Sequence, residues 1–144
     1  MIILGADHAG FAMKELFRRY CEKEGIAYLD LGPYCVDPKD DYPDYAHAVA
    51  RKVQRSKGKD QGVLICGSGV GMSIAANRYK GVRAALVWTP ALAALSKEHN
   101  HANVLCLANR FITDKQGLSI LKAWLRTPYA KEKRHLRRVK KLDR

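Results

Sequence analysis

Five apolar runs rich in branched residues recur along the chain, at Ile2–Ala6, Ala27–Leu31, Gly62–Cys66, Arg83–Trp88 and Asn103–Leu107. Runs this short and this continuous read as strands buried on both faces. Between them the apolar positions fall into helical spacing. Phe11, Leu16, Phe17, Tyr20 and Cys21 share one face, with Lys14, Arg18 and Arg19 opposite. Tyr45, Val49 and Val53 do the same, with Arg51, Lys52 and Arg55 outside. Thr113 and Gln116 have the spacing of a capping box, starting a helix through Trp124, and Pro128 separates it from a last basic helix around Tyr129–Lys140. The alternation predicts an α/β, Rossmann-like, doubly wound five-stranded parallel sheet with helices on both faces and an extra basic C-terminal helix. The expected strand order is 2-1-3-4-5. That order sets the ends of strands one and three side by side at the switch point, where open α/β sheets bind ligands. Asp7 and His8 end strand one and Cys66 ends strand three, so three ionisable side chains converge there.

Residues 1–144, 47% of them hydrophobic, suffice for a single domain with one core, and neither an internal repeat nor a low-complexity linker divides them. The four cysteines, at 21, 35, 66 and 106, show neither CxxC pairs nor metal-ligand spacing. No metal site and no disulfide framework is expected, and reduced thiols fit a cytoplasmic protein. The chain enters strand-like residues at once, and no apolar run approaches the roughly 18 residues of a membrane span, so no membrane partner is expected. The formal charge of +12 is uneven: nine of the 26 basic residues lie between Arg126 and Arg144, against Glu132 and Asp143. Such a tail suits nucleic acid, an acidic membrane, a phosphorylated small molecule, or simply water.

Candidate chemistry centres on Cys66-Gly-Ser-Gly-Val-Gly71. Gly67, Gly69 and Gly71 allow a tight turn and offer amide hydrogens at the positive end of the next helix, where a thiol is biased toward thiolate. The glycine spacing alone is weak evidence for a nucleotide, and the lysine of a P-loop is missing. A cysteine at a strand end is also an ordinary small core residue. Asp7-His8 is equally suited to capping the following helix. His99-Asn100-His101 lies at a junction where polar residues form turns, yet a histidine there can exchange protons near neutral pH; spacing does not choose between His99 and His101. In the tail, Arg134 and Arg138 are four apart and share a helix face beside His135, an arrangement suited to phosphate, with Arg110 a third candidate. The tail has Tyr129 as its one aromatic and no nucleic-acid motif, so nucleic acid is not the expected partner.

With Gly5-Ala-Asp-His-Ala-Gly10, Asp41-Tyr-Pro-Asp-Tyr45, Cys66-Gly-Ser-Gly-Val-Gly71, Glu98-His-Asn100 and Arg134-His-Leu-Arg-Arg138 in this order, the chain resembles the type B ribose-5-phosphate isomerase family over nearly its whole length. That family includes isomerases of galactose 6-phosphate and allose 6-phosphate. The resemblance implies aldose–ketose isomerisation between ribose 5-phosphate and ribulose 5-phosphate through an enediol or enediolate. Hexose 6-phosphates are the alternative substrates, and a non-catalytic phosphosugar- or nucleic-acid-binding regulator is the rival reading. It matches Cys66 to the base, Ser68 to its assistant and His99 to the acid that opens the ring. The amides of Gly67, Ser68, Gly69, Val70 and Gly71 would hold the oxyanion. Asp7, His8 and Asn100 match sugar and phosphate contacts, Arg110, Arg134 and Arg138 match phosphate ligands, and Tyr42 is a neighbour. The resemblance further implies a homodimer or dimer of dimers with the site between subunits, and no cofactor.

Overall fold

In the computed structural model, which describes residues 1–143, β1 (Ile2–Ala6), β2 (Tyr28–Asp30), β3 (Gln61–Cys66), β4 (Ala84–Leu86) and β5 (Val104–Ala108) form one parallel sheet. Arg144, the last residue of the basic tail, lies outside the described residues. The helices are α1 (Phe11–Lys23), α2 (Tyr42–Arg55), α3 (Val70–Ala76), α4 (Pro90–Asn100), α5 (Asp114–Arg126) and α6 (Lys133–Leu142). The expected capping box opens α5, with the Gln116 amide donating to Thr113 Oγ1 and the Thr113 amide donating to Gln116 Oε1 at 2.8 Å. The last helix starts at Lys133, later than its basic pattern indicated, because residues 127–132 run extended from α5.

The strand order is 2-1-3-5-4, correcting the expected 2-1-3-4-5. Burial explains the exchange. All five residues of Val104–Ala108 are buried, whereas β4 shrinks to three half-buried residues. The wholly apolar strand takes the inner position and the short one becomes an edge, as the three-residue β2 does on the other side. β1 and β3 remain neighbours, with Ala6 opposite Ile65, so the switch point survives the correction.

Side chains alternate between two cores. On one face Leu4, Ile65 and Leu107 pack against Met13 and Phe17 of α1 and Ile120 and Trp124 of α5. On the other, Ile3, Leu64, Cys66 and Cys106 meet Val49 and Val53 of α2 and Met72 of α3. The period of two thus turns Cys66 toward α3. One residue departs from its polar assignment: Lys14 is fully buried, its Nζ donating to Asp30 Oδ2 at 2.5 Å and to Glu15 Oε1 at 3.1 Å. Its stem packs with the apolar face while these carboxylates hold the charge, which helical periodicity cannot foresee.

Candidate active site

At the carboxyl edge of β1 and β3 a cavity of about 440 Å³ is lined by Asp7, His8, Tyr42, Cys66, Gly67, Ser68, Val70, Gly71, Ile74 and Arg110, among others. Its size is that of small-molecule pockets. The β3–α3 turn is built around Gly69, whose φ of 72° is left-handed and where an added Cβ would meet Leu86 Cδ1 at 2.4 Å. In that conformation the Gly69 amide donates to Cys66 Sγ at 3.0 Å. That amide therefore faces the sulfur, the Val70 amide donates to Ser68 Oγ at 3.4 Å, and Gly71 in the same first turn of α3 lines the cavity. The Tyr42 ring lies so close over Gly71 that any Cβ there would strike it. This contact places Tyr42 in the wall.

Arg110 follows β5, and its amide donates to the Gly67 carbonyl at 3.1 Å while its guanidinium lies over Gly67. Asp7 accepts the Gly10 amide at 2.9 Å on Oδ1, opening the turn into α1. Burial pushes the Asp7 carboxyl above its usual range, partly offset by that amide. His8 Nδ1 meets Asp40 Oδ1 at 2.6 Å, and this bond raises the imidazole above its ordinary value. Cys66 is the one cysteine lining the cavity. Burial pushes the Cys21 and Cys106 thiols up, and Cys35 is exposed elsewhere on the surface. Among the described residues no three His, Cys, Asp or Glu side chains gather into a group able to hold a metal.

The other predicted site residues lie apart from this cavity. His99 and Asn100 occupy the last turn of α4, inside the helix and not in a loop, and His101 ends it in left-handed conformation with φ 52°. Because α4 runs back against the strand direction, its end sits by the amino edge of the sheet. Arg83, just before β4, donates from Nε to the His101 carbonyl at 3.0 Å. Cys66 is at the opposite edge, roughly 15 Å away by the rise of a five-residue strand. His99 stacks on His135 of α6, ring centroids 4.3 Å apart. Burial lowers the His135 imidazole below its ordinary value. Burying His135 and Val139 sets α6 on α4 and leaves Arg134 and Arg138 on its exposed side. His101 Nε2 bonds the Ala130 carbonyl at 2.9 Å, so its ring serves the α4–α6 connection. The predicted residues thus fall into two groups on one chain: Asp7, His8, Cys66, Ser68 and Arg110 at one edge, His99, Asn100, Arg134 and Arg138 on α4 and α6.

Sheet, switch-point cavity, thiol and cationic rim define an α/β protein with a small-molecule-sized cavity at the carboxyl ends of β1 and β3. The chain belongs to the Ribose/Galactose Isomerase family, whose model matches residues 2–142. It is 38% identical to ribose-5-phosphate isomerase B of Mycobacterium tuberculosis over 138 residues, 96% of this chain and 85% of that protein. Ribose-5-phosphate isomerase B of Mycoplasma genitalium, solved with bound ribulose 5-phosphate, superposes with a TM-score of 0.95 at 43% identity, covering 98% of this chain and 92% of that one. The enzyme of that name from Thermotoga maritima gives 0.92 at 42% identity, covering 99% and 96%. Among the described residues no helix is long and apolar enough to cross a membrane.

Proposed function

We propose that this protein interconverts ribose 5-phosphate and ribulose 5-phosphate. The observation that carries the reading is the placement of Cys66, with an amide on its sulfur, in a cavity rimmed by His8 and Arg110, in a chain whose near-superposable relative holds ribulose 5-phosphate. Cys66 as thiolate takes the proton from C2 of the open-chain aldose. The electron pair forms the C1–C2 double bond and the C1 carbonyl oxygen becomes an oxyanion, which the α3 amides stabilise. The thiol then returns its proton to C1 while the C2 oxygen becomes the carbonyl and its hydroxyl proton passes to the oxygen on C1. Ser68, which lines the same cavity, assists this exchange. No electrons leave the substrate, so no cofactor enters the balance.

The two groups belong together in a homodimer or dimer of dimers, where His99, Asn100, Arg134 and Arg138 of one subunit complete the cavity of another. Their separation across the sheet supports this, and so does the apolar surface at the Cys66 edge. Ile74 of α3, Trp88 after β4 and Phe111 after β5 are 60%, 59% and 75% exposed, apolar surface that a second copy could cover. His99 opens the sugar ring, and Arg134 and Arg138 hold the phosphate with Arg110. The four free cysteines accord with a cytoplasmic setting.

The family's description spans ribose and galactose, so hexose 6-phosphates are the second reading. Assays of ribose 5-phosphate, allose 6-phosphate and galactose 6-phosphate side by side separate them; ribose 5-phosphate is expected to have the highest kcat/KM. Arg134→Ala or Arg138→Ala should weaken apparent affinity for the phosphorylated substrate by about 10- to 100-fold, the worth of a charge-assisted hydrogen bond. Lys140→Ala should matter little. Unchanged kinetics in the arginine variants, together with salt-sensitive binding of RNA or DNA, would assign the tail to nucleic acid instead.

A further inference from the structure

We propose that Asp40, which does not line the cavity, is the positioning residue for substrate phosphate: it grips His8 through Nδ1, so that the ring meets the phosphate as a cation offering Nε2–H. The inference deepens the isomerase reading and rests on it.

The geometry is specific. Asp40 lies in the loop before α2, 32 residues along the chain from His8, and its Oδ1 is 2.6 Å from His8 Nδ1. The Asp40 carboxyl is 7% exposed while the imidazole is 33% exposed, so the carboxylate stands behind the ring and the ring faces outward. Oδ2 of Asp40 is buried with no hydrogen-bond partner among the described residues. Tyr45 of α2 also faces this carboxyl but carries no charge, so the imidazole is the neighbour that can supply compensating charge. With Nδ1 committed, Nε2 is the nitrogen available to the cavity that His8 lines. In the neutral ring Nε2 accepts and repels a phosphate oxygen; in the charged ring it donates.

The groups around His8 act in both directions. The Asp40 bond is the largest influence and raises the imidazole, Asp7 on the same β1 end adds to it, and partial burial and Arg110 from the β5 end oppose it. A raised value means the charged ring persists below it and is lost as pH rises through it. Phosphate affinity should therefore weaken as pH rises through that value, at higher pH than an ordinary histidine would give. Phosphate monoesters themselves become dianions above about pH 6, which sets the acid limit of the window.

Asp40→Asn removes the charge at nearly constant shape. With histidine labelled by ¹⁵N, the His8 titration of the unliganded protein should move to lower pH than in the wild type. At a pH between the two His8 titrations, KM for ribose 5-phosphate should rise roughly tenfold in the variant with kcat nearly unchanged, and the alkaline loss of affinity should begin earlier. Asp40→Glu, which restores the charge, should recover part of both. Affinity for inorganic phosphate should follow the same order, read by calorimetry without turnover. A His8 titration identical in wild type and Asp40→Asn overturns the proposal, as does a fall in kcat with KM unchanged. If Asp40→Asn does not fold, the wild-type His8 titration decides, and an ordinary value there overturns the proposal. Absence of isomerase turnover beside a shifted His8 titration would instead overturn only the proposed reaction.

Discussion

Cys66→Ala should lower turnover of ribose 5-phosphate by at least about 10²–10⁴-fold, the usual contribution of a positioned base, while the protein keeps its fold. Retention of the fold is expected because the thiol is a small part of its core and alanine leaves a cavity of about one atom beside Met72 and Cys106. The Gly69 amide would lose its sulfur acceptor, yet the turn itself is held by the Gly69 backbone and by the Asn109 amide on the Cys66 carbonyl at 2.9 Å. Substrate affinity should change little, since the proposed phosphate ligands Arg110, Arg134 and Arg138 are untouched. Steady-state kinetics with circular dichroism as the control for folding checks it. A folded variant with near-normal turnover would remove Cys66 from the mechanism. Alkylation gives an independent reading only through protection. Exposed Cys35 should react as well, so the informative outcome is that phosphosugar shields Cys66 and not Cys35.

His99→Asn should cost as much with cyclic substrate and far less with an open one. Ribose 5-phosphate is largely a closed ring, and a general acid that opens it is worth about 10²–10⁴-fold. Ribulose 5-phosphate cannot close into a furanose, so exchange of its C1 proton with solvent bypasses that step. Conversion of ribose 5-phosphate should fall steeply in the variant while the exchange survives. Because His99 is stacked on His135, asparagine also loosens the seat of α6, and some loss in KM is expected as Arg134 and Arg138 shift. Equal losses in both assays would show that His99 does something other than open the ring.

The fold was legible wherever hydrophobic pattern alone decides the outcome. The strands and amphipathic faces of α1 and α2 were of that kind. The order of β4 and β5 was not, because both runs read as apolar and only their relative burial, a property of the assembled sheet, makes Val104–Ala108 internal. At the site, the convergence of Asp7, His8 and Cys66 followed from topology. That His99 lies at the far edge also follows from strand and helix direction, since a helix preceding a strand ends at that strand's start. Motif matching names His99 without saying that it lies away from its own chain's cavity. Asp40 was missed altogether. It sits in an aperiodic loop, among Asp37, Asp40 and Asp41, where acidic residues before a helix read as dipole partners, and nothing in the spacing points 32 residues back to His8.

Complementation between variants tests directly the proposal that one subunit's Cys66 works with another subunit's His99. Cys66→Ala and His99→Asn chains, each nearly inactive alone, would be coexpressed in equal amounts so that they pair at random. About half the pairs are then mixed, and each mixed pair carries one intact site and one doubly damaged site, as two-fold symmetry requires. The account predicts recovery to about a quarter of wild-type activity, well above either parent. Mixed pairs that form, shown by two affinity tags recovered together, and yet remain as inactive as their parents would contradict it.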